Sequence, residues 1–185
     1  ANGKVDTSFK TGSGISGYAE DIALYPDGRM MVVGAFTSYK SSARKNMVRI
    51  MPNGDVDPTF DPGTGPNAVV TTCLIQTDEK VFMSGNFTSV SGTTMTRLGR
   101  LNADGSVDPG FNSGTGVPNA PYESLLLPNG KIMISGSFAF VNSLAIHNIA
   151  CLQPDGSLDM EFNTGGYGAL AAATDVDMAS DGKII

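Results

Sequence analysis

Leu101-Asn102-Ala103-Asp104-Gly105-Ser106-Val107-Asp108-Pro109-Gly110-Phe111-Asn112 is the stretch that decides the fold. Alone it reads as a turn at Asp104-Gly105, then a short strand that ends near a Pro-Gly pair. Its weight comes from recurrence. Gly105 shares a column with Gly3, Gly54 and Gly156, each 51 residues from the next. Asp108 keeps that step with Asp6, Asp57 and Asp159, and Phe111 with Phe9, Phe60 and Phe162. Gly12, Gly63, Gly114 and Gly165 form a fourth column. A second block recurs three times, as Gly34-Ala35-Phe36, Gly85-Asn86-Phe87 and Gly136-Ser137-Phe138. Self-similarity at a fixed period of this length marks a repeat architecture. The fourth copy carries one inserted residue between Gly165 and the Asp181-Gly182-Lys183 turn, and the sequence ends at Ile184-Ile185, inside a strand position.

One unit reads as four strands. Strand a is near Asp21–Tyr25, alternating around Ile22 and Leu24. Pro26-Asp27-Gly28 turns into strand b, near Met30–Thr37, and the Asp-Gly pair suits a tight hairpin with positive φ at both central residues. Strand b is almost continuously apolar, as in a strand covered on both faces. A polar loop, Ser38–Asn46, leads to strand c near Met47–Met51. Pro52-Asn53-Gly54 turns into strand d, Asp55–Phe60, and Asp61–Pro66 crosses to the next unit. Two hairpins per repeat make a four-stranded antiparallel sheet that buries its faces only by stacking on its neighbours. Ile22 aligns with Cys73 and Ser124, Leu24 with Ile75 and Leu126, and Val32 with Met83 and Ile134, all as inward columns. The nine Met suit the irregular gaps between tilted sheets. The expected class is all-β: a β-propeller of four-stranded blades, with an incomplete ring in this chain. A β-solenoid is the rival, but its rungs are usually shorter and its strands parallel. Residues 1–185 form a single repeat domain, with units at about 1–17 (a leading d strand), 18–60, 68–111, 120–162 and 170–185, the last partial.

Composition narrows the function classes. Of 185 residues, 41% are hydrophobic and 16% charged, which fits a globular chain; 23 Gly and 10 Pro fit many turns. A net charge of −6 argues against neutralising nucleic-acid phosphates or an anionic membrane surface. No apolar run approaches the roughly 18 residues of a membrane helix, and Ala1-Asn2-Gly3-Lys4 carries no signal peptide. Cys73 and Cys151 make neither a disulfide framework nor a metal spacing.

The unit resembles the delta-60 repeat family of bacterial and phage β-propellers. The residues that carry the resemblance are Leu101–Asn112 and Leu127-Pro128-Asn129-Gly130-Lys131-Ile132-Met133-Ile134-Ser135-Gly136-Ser137-Phe138. The second unit departs at Asp78-Glu79-Lys80, where Glu79 replaces the turn glycine, and the third at Cys151, where the first two have Arg49 and Arg100. The resemblance implies large bacterial secreted or surface proteins, or phage structural proteins. It attaches no reaction, so no catalytic residue is carried over.

Candidate sites are weighed against plain architecture. Asn102, Asp104 and Asp108 have some of the oxygen density of a calcium loop. They lack a distal bidentate Glu, and a structural role for the Asp column is the simpler expectation. The columns Gly54, Asp57, Phe60, Gly105, Asp108, Phe111, Gly85, Phe87, Gly136 and Phe138 are read as blade architecture. A site should break the symmetry, which directs attention to His147, Glu20, Glu123, Glu161, Asp175, Asp177, Lys40, Arg44 and Lys45. His147 has no nucleophile–base partner in the pattern and reads as a loop residue. Asp175 and Asp177 share a strand face, but without Trp and with scattered Tyr no sugar-stacking platform is evident. Asn86-Phe87-Thr88 matches a glycosylation acceptor and also falls in the repeat column. Residues 165–174 are the least regular and read as a binding loop or a blade boundary.

A closed ring needs roughly 300 residues or more at this repeat length, so the chain is expected to be part of a longer protein or assembly. The expected function is a non-enzymatic structural and interaction module, extracellular, in a virion fibre, tail or decoration protein or on a bacterial surface. Its partners would be other protein subunits or remaining blades, with no cofactor, no nucleic acid and no membrane insertion. The alternative is a receptor- or glycan-binding propeller using the d–a or b–c loops. A glycan-active enzyme ranks last, because it needs a carboxylate or His/Tyr cluster at the central channel that the sequence does not supply.

Overall fold

The structure, a computed structural model, describes residues 6–162 and 167–185. Gly3, Gly165 and the start of the irregular 165–174 segment lie outside the described residues. Twelve strands and no helix occur among the described residues. In the first blade β1 (Ile15–Leu24) pairs antiparallel with β2 (Met30–Tyr39), which also pairs with β3 (Ser42–Ala43) and β4 (Met47–Ile50). The second blade holds β5 (Val70–Ile75), β6 (Val81–Gly85) and β9 (Leu98–Leu101), with a small hairpin of β7 (Ser89–Val90) and β8 (Thr93–Thr94). The third holds β10 (Pro121–Leu126), β11 (Ile132–Gly136) and β12 (Ile149–Leu152). All of these pairings are antiparallel, and the loop expected at Ser38–Asn46 contains the β2–β3 hairpin.

The middle strands β6 and β11 are apolar on both faces because each is packed on both sides. Met31 and Val33 point into a core shared with Cys73, Val81 and Met83 of the second blade. Phe82 and Leu98 point the other way, into a core with Ile132, Ile134 and Leu152 of the third. Met133 and Cys151 meet Val176 and Ile184 of the fourth copy. At about 25 cal/mol per Å² of buried apolar surface, these inter-sheet cores are the main force holding the blades in series. The first strands β1, β5 and β10 are also in direct contact from blade to blade. Gly85 shows why the Gly-x-Phe column is glycine: a Cβ there would collide with the Val69 carbonyl oxygen of the neighbouring strand.

Three expectations are corrected. Strand d is a single bridge in each unit, Ile50↔Val56, Leu101↔Val107 and Leu152↔Leu158. The chain turns away after it because Asp57 accepts from the Thr59 amide (2.8 Å) and Pro58 has no amide to donate. The hairpin turns do not carry positive φ at both central residues. Gly28 takes φ 88° but Asp27 does not, since Pro26 fixes a negative φ at the turn's start; the Gly28 amide bonds Tyr25 O at 3.0 Å. Finally, Ile22 (54% exposed) and Leu24 are not inward, unlike buried Cys73 and Ser124, because among the described residues no sheet stacks on that face of β1. The turn at Glu79 is kept: Glu79 itself adopts φ 63°, and its amide bonds Gln76 O at 2.9 Å.

Candidate functional site

Each blade has a turn end, built by its two hairpin turns, and a loop end, where the b–c loop meets the crossover from the previous unit. The periodic Asp works at the turn end. Arg49 donates its Nε to Asp57 (2.7 Å), an Nη to Thr59 Oγ1 (2.9 Å) and the other Nη to Ala103 O of the next blade (2.7 Å). Its guanidinium lies over the Phe60 ring at 4.8 Å. Arg100 repeats this, with Nε to Asp108 at 2.7 Å, an Nη to Pro154 O of the following blade and the Phe111 ring at 5.1 Å. A backbone link runs alongside, from Asp61 N to Asp104 O (2.8 Å) and from Asn112 N to Asp155 O (2.7 Å). Gly105 sits at that joint with φ 93°, and a Cβ on it would lie 2.6 Å from Asp61 C. The columns Gly, Asp and Phe therefore form one clamp that joins consecutive blades.

The clamp also places the calcium candidates. Asp108 accepts from Arg100, from the Gly110 amide (2.8 Å) and pairs with Lys80 at 3.2 Å. Burial works against its charge, but the Gly110 amide, Lys80 and Arg100 outweigh it and hold its carboxyl below 3.8. Asp104 caps its own turn through the Ser106 amide and hydroxyl, and Asn102 donates to Ser106 Oγ at 2.9 Å. Their oxygens thus face protein donors, and no group of His, Cys, Asp and Glu stands ready to hold a metal ion among the described residues. In the third blade Cys151 leaves Asp159 to Lys131 (2.7 Å), and Phe162 is exposed. Both cysteines are free and buried; burial raises the Cys73 thiol well above its ordinary value and pushes Cys151 up to about 11.

The symmetry-breaking residues fall in different places. His147 is exposed, and its backbone pairs with Gly168. Lys40 pairs with Asp55 at 3.2 Å, Arg44 donates to Ala43 O at 2.8 Å, and Lys45 and Glu161 are exposed. Asp175 and Asp177 are exposed on either side of buried Val176, each accepting from the next backbone amide.

Glu20 and Glu123, by contrast, come together. The first strands each carry a bulge at the same repeat position, so that Glu20, Thr71 and Tyr122 are the extra residues. The residue after each bulge, Asp21, Thr72 or Glu123, is followed by an amide that needs an acceptor. Asp21 takes Ile22 N (2.7 Å) and reaches across to Cys73 N (2.8 Å); Glu123 takes Ser124 N at 2.9 Å. The bulges enclose a cleft of about 440 Å³ lined by Glu20, Asp21, Asn86, Asn119, Tyr122 and Glu123, among others. Burial raises Glu123, against the Ser124 amide that lowers it, and Asp21 and Asp175 add to the rise. The carboxylate residues Glu20, Asp21 and Glu123 thus line one cleft. Asp21 was read only as the start of strand a; its bond to the Cys73 amide of the next blade has no signal in the sequence.

Three segments, residues 26–60, 76–111 and 127–162, match the model of a beta-propeller family, domain of unknown function (DUF5122). Each begins at or beside the first hairpin turn and ends on the clamp Phe. No curated protein matches the chain. Stacked antiparallel sheets, first strands in contact and a clamp repeated at the joints made by Arg49 and Arg100 agree with these matches, and the chain belongs to the DUF5122 beta-propeller family.

Proposed function

We propose that the chain is a non-enzymatic structural and interaction module of a larger extracellular assembly: a virion fibre, tail or decoration protein, or a bacterial surface or secreted protein. The phage and bacterial setting rests on the resemblance to delta-60 repeats. The observation that carries the structural role is the use of the repeated residues: the Gly, Asp and Phe columns join blade to blade through Arg49 and Arg100. The face of β1 that exposes Tyr18, Ile22 and Leu24 corresponds to faces buried at the inner joints, and further blades or other subunits would seat there. Light scattering of the full chain should show self-association that Ile22→Asp abolishes; a monomer at every concentration contradicts this. An antibody against the chain should label intact particles or cells, and labelling only after lysis contradicts the extracellular placement. No cofactor is assigned, so a chelator should leave the melting temperature unchanged.

One observation favours a second role, receptor or glycan binding at the bulge cleft. Two amides, Asn86 and Asn119, stand beside half-exposed Tyr122 and the carboxylates of Glu20, Asp21 and Glu123, which offers both hydrogen bonds and a stacking face. A glycan array read with the native chain and with Tyr122→Ala tests it: a hit lost in the variant supports it, and no hit contradicts it.

A further inference from the structure

One column at the loop end breaks the repeat in its chemistry but not in its backbone. Asn46, Arg97 and Asn148 are 51 residues apart and adopt φ 62°, 63° and 67°. Each makes the same two backbone bonds: its carbonyl accepts from Gly34, Gly85 or Gly136, and its amide donates to Phe36, Phe87 or Phe138. Each side chain then reaches to the crossover entering the next blade. Asn46 donates to Pro66 O at 3.0 Å, Asn148 to Ala169 O at 2.9 Å, and Arg97 to Val117 O at 3.3 Å. An asparagine amide is enough for that bond. Arginine brings a positive charge and further N–H groups that the clamp does not use.

That surplus has no partner. Arg97 Nε is buried without a hydrogen bond, and Arg97 forms no ion pair among the described residues. Arg29, Arg49 and Arg100 are each paired with a carboxylate, and Arg44, which like Arg97 forms no ion pair among the described residues, donates to the Ala43 carbonyl; the buried, unbonded Nε sets Arg97 apart. A partly buried guanidinium lacking a counter-ion carries a desolvation cost that an anion would relieve. Arg97 lines a groove of about 400 Å³ between the second and third blades, with Thr96, Thr115, Phe140 and Ser143. The Thr115 and Ser143 hydroxyls lie 3.3 Å apart, and Phe140 is half exposed beside them.

We propose that this groove binds a carboxylate-bearing sugar. The Arg97 Nη groups take the carboxylate, Thr115 and Ser143 take ring hydroxyls, and the Phe140 ring stacks on the apolar face of the sugar. The site shares a glycan ligand with the second role above but none of its residues, so the two fail separately.

Arg97→Asn is the decisive variant, because Asn46 and Asn148 already make the structural bond from this position. Calorimetry with the full chain and glucuronate, N-acetylneuraminate, glucose and inorganic phosphate reads the outcome. At least one acidic sugar should bind, glucose should not, phosphate should bind more weakly, and Arg97→Asn should weaken the acid at least tenfold with an unchanged melting temperature. Should Arg97→Asn prove unstable, Phe140→Ser replaces an exposed residue and should weaken the sugar acid while sparing acetate. The proposal is overturned if neither acid binds, if glucose or phosphate binds as well as the acids, or if Arg97→Asn binds like the native chain.

Discussion

The two ends of each blade use the same 51-residue step differently. At the turn end the step returns to identical residues: Asp57 and Asp108 under Arg49 and Arg100, with Phe60 and Phe111 below them. At the loop end the backbone repeats just as closely, with a bulge in each first strand, but the bulged residues are Glu20, Thr71 and Tyr122. The joints made by Arg49 and Arg100 use the same chemistry, and the third blade departs from it at Cys151. A cleft or groove is needed once, so its residues vary on a constant backbone. Repetition therefore marks what holds the blades together, and variation on a repeated backbone marks where the proposed ligand sites lie.

The contrast is open to breakage at the turn end first. Asp57→Ala leaves the Arg49 guanidinium buried without its carboxylate, and should cost about 3–5 kcal/mol in urea unfolding; a loss below about 1 kcal/mol would remove the clamp from the account. Acid should act on the same groups. Burial opposes the charge of Asp57, yet Thr59 and Arg49 hold its carboxyl below 3.8; Lys131 does so for Asp159 against burial. A carboxyl depressed in the fold stabilises it above the unfolded value and loses that contribution as pH falls through the folded one. The urea midpoint should thus be insensitive to these groups at neutral pH and fall below about pH 4. Lys131→Met tests the third blade, where Cys151 replaces the arginine and the cation that pairs Asp159 is partly exposed; its melting temperature should drop, but by less than that of Asp57→Ala. Smallest of all, Tyr122→Ala at the loop end should change stability by no more than about 0.5 kcal/mol, and a larger loss would make the bulge residues structural after all.

Much of this was legible in the sequence, for a physical reason. The clamp Asp and the clamp Phe recur at every 51-residue step, and in the first three units the turn glycines do so at all but Glu79, so identity reveals them. The three matched propeller segments span the predicted strands b and c. What stayed hidden depends on partners rather than identity. Strand d shrinks to one bridge because Asp57 spends its carboxylate on Arg49 and its own turn, which no local propensity records. Pro26 had already excluded the predicted turn type, but the Asp-Gly pair outweighed it. Glu79 looked like a broken turn, yet it holds the left-handed backbone while Arg29 bonds both its carboxylate oxygens at 2.9 Å. Glu20 and Glu123 stood out as symmetry breakers, but Asp21 and Arg97 needed the bulge and groove geometry to be noticed.

The clamp is the centre of the account, and a double-mutant cycle on Arg100 and Asp108 in the full chain tests it most directly. Urea unfolding of Asp108→Ala, Arg100→Met and the double variant should show a large loss for Asp108→Ala and much of it recovered in the double, with a coupling above about 2 kcal/mol. Losses that simply add, within about 0.5 kcal/mol, would mean that Arg100 and Asp108 act independently and that the repeated Asp is not what joins one blade to the next.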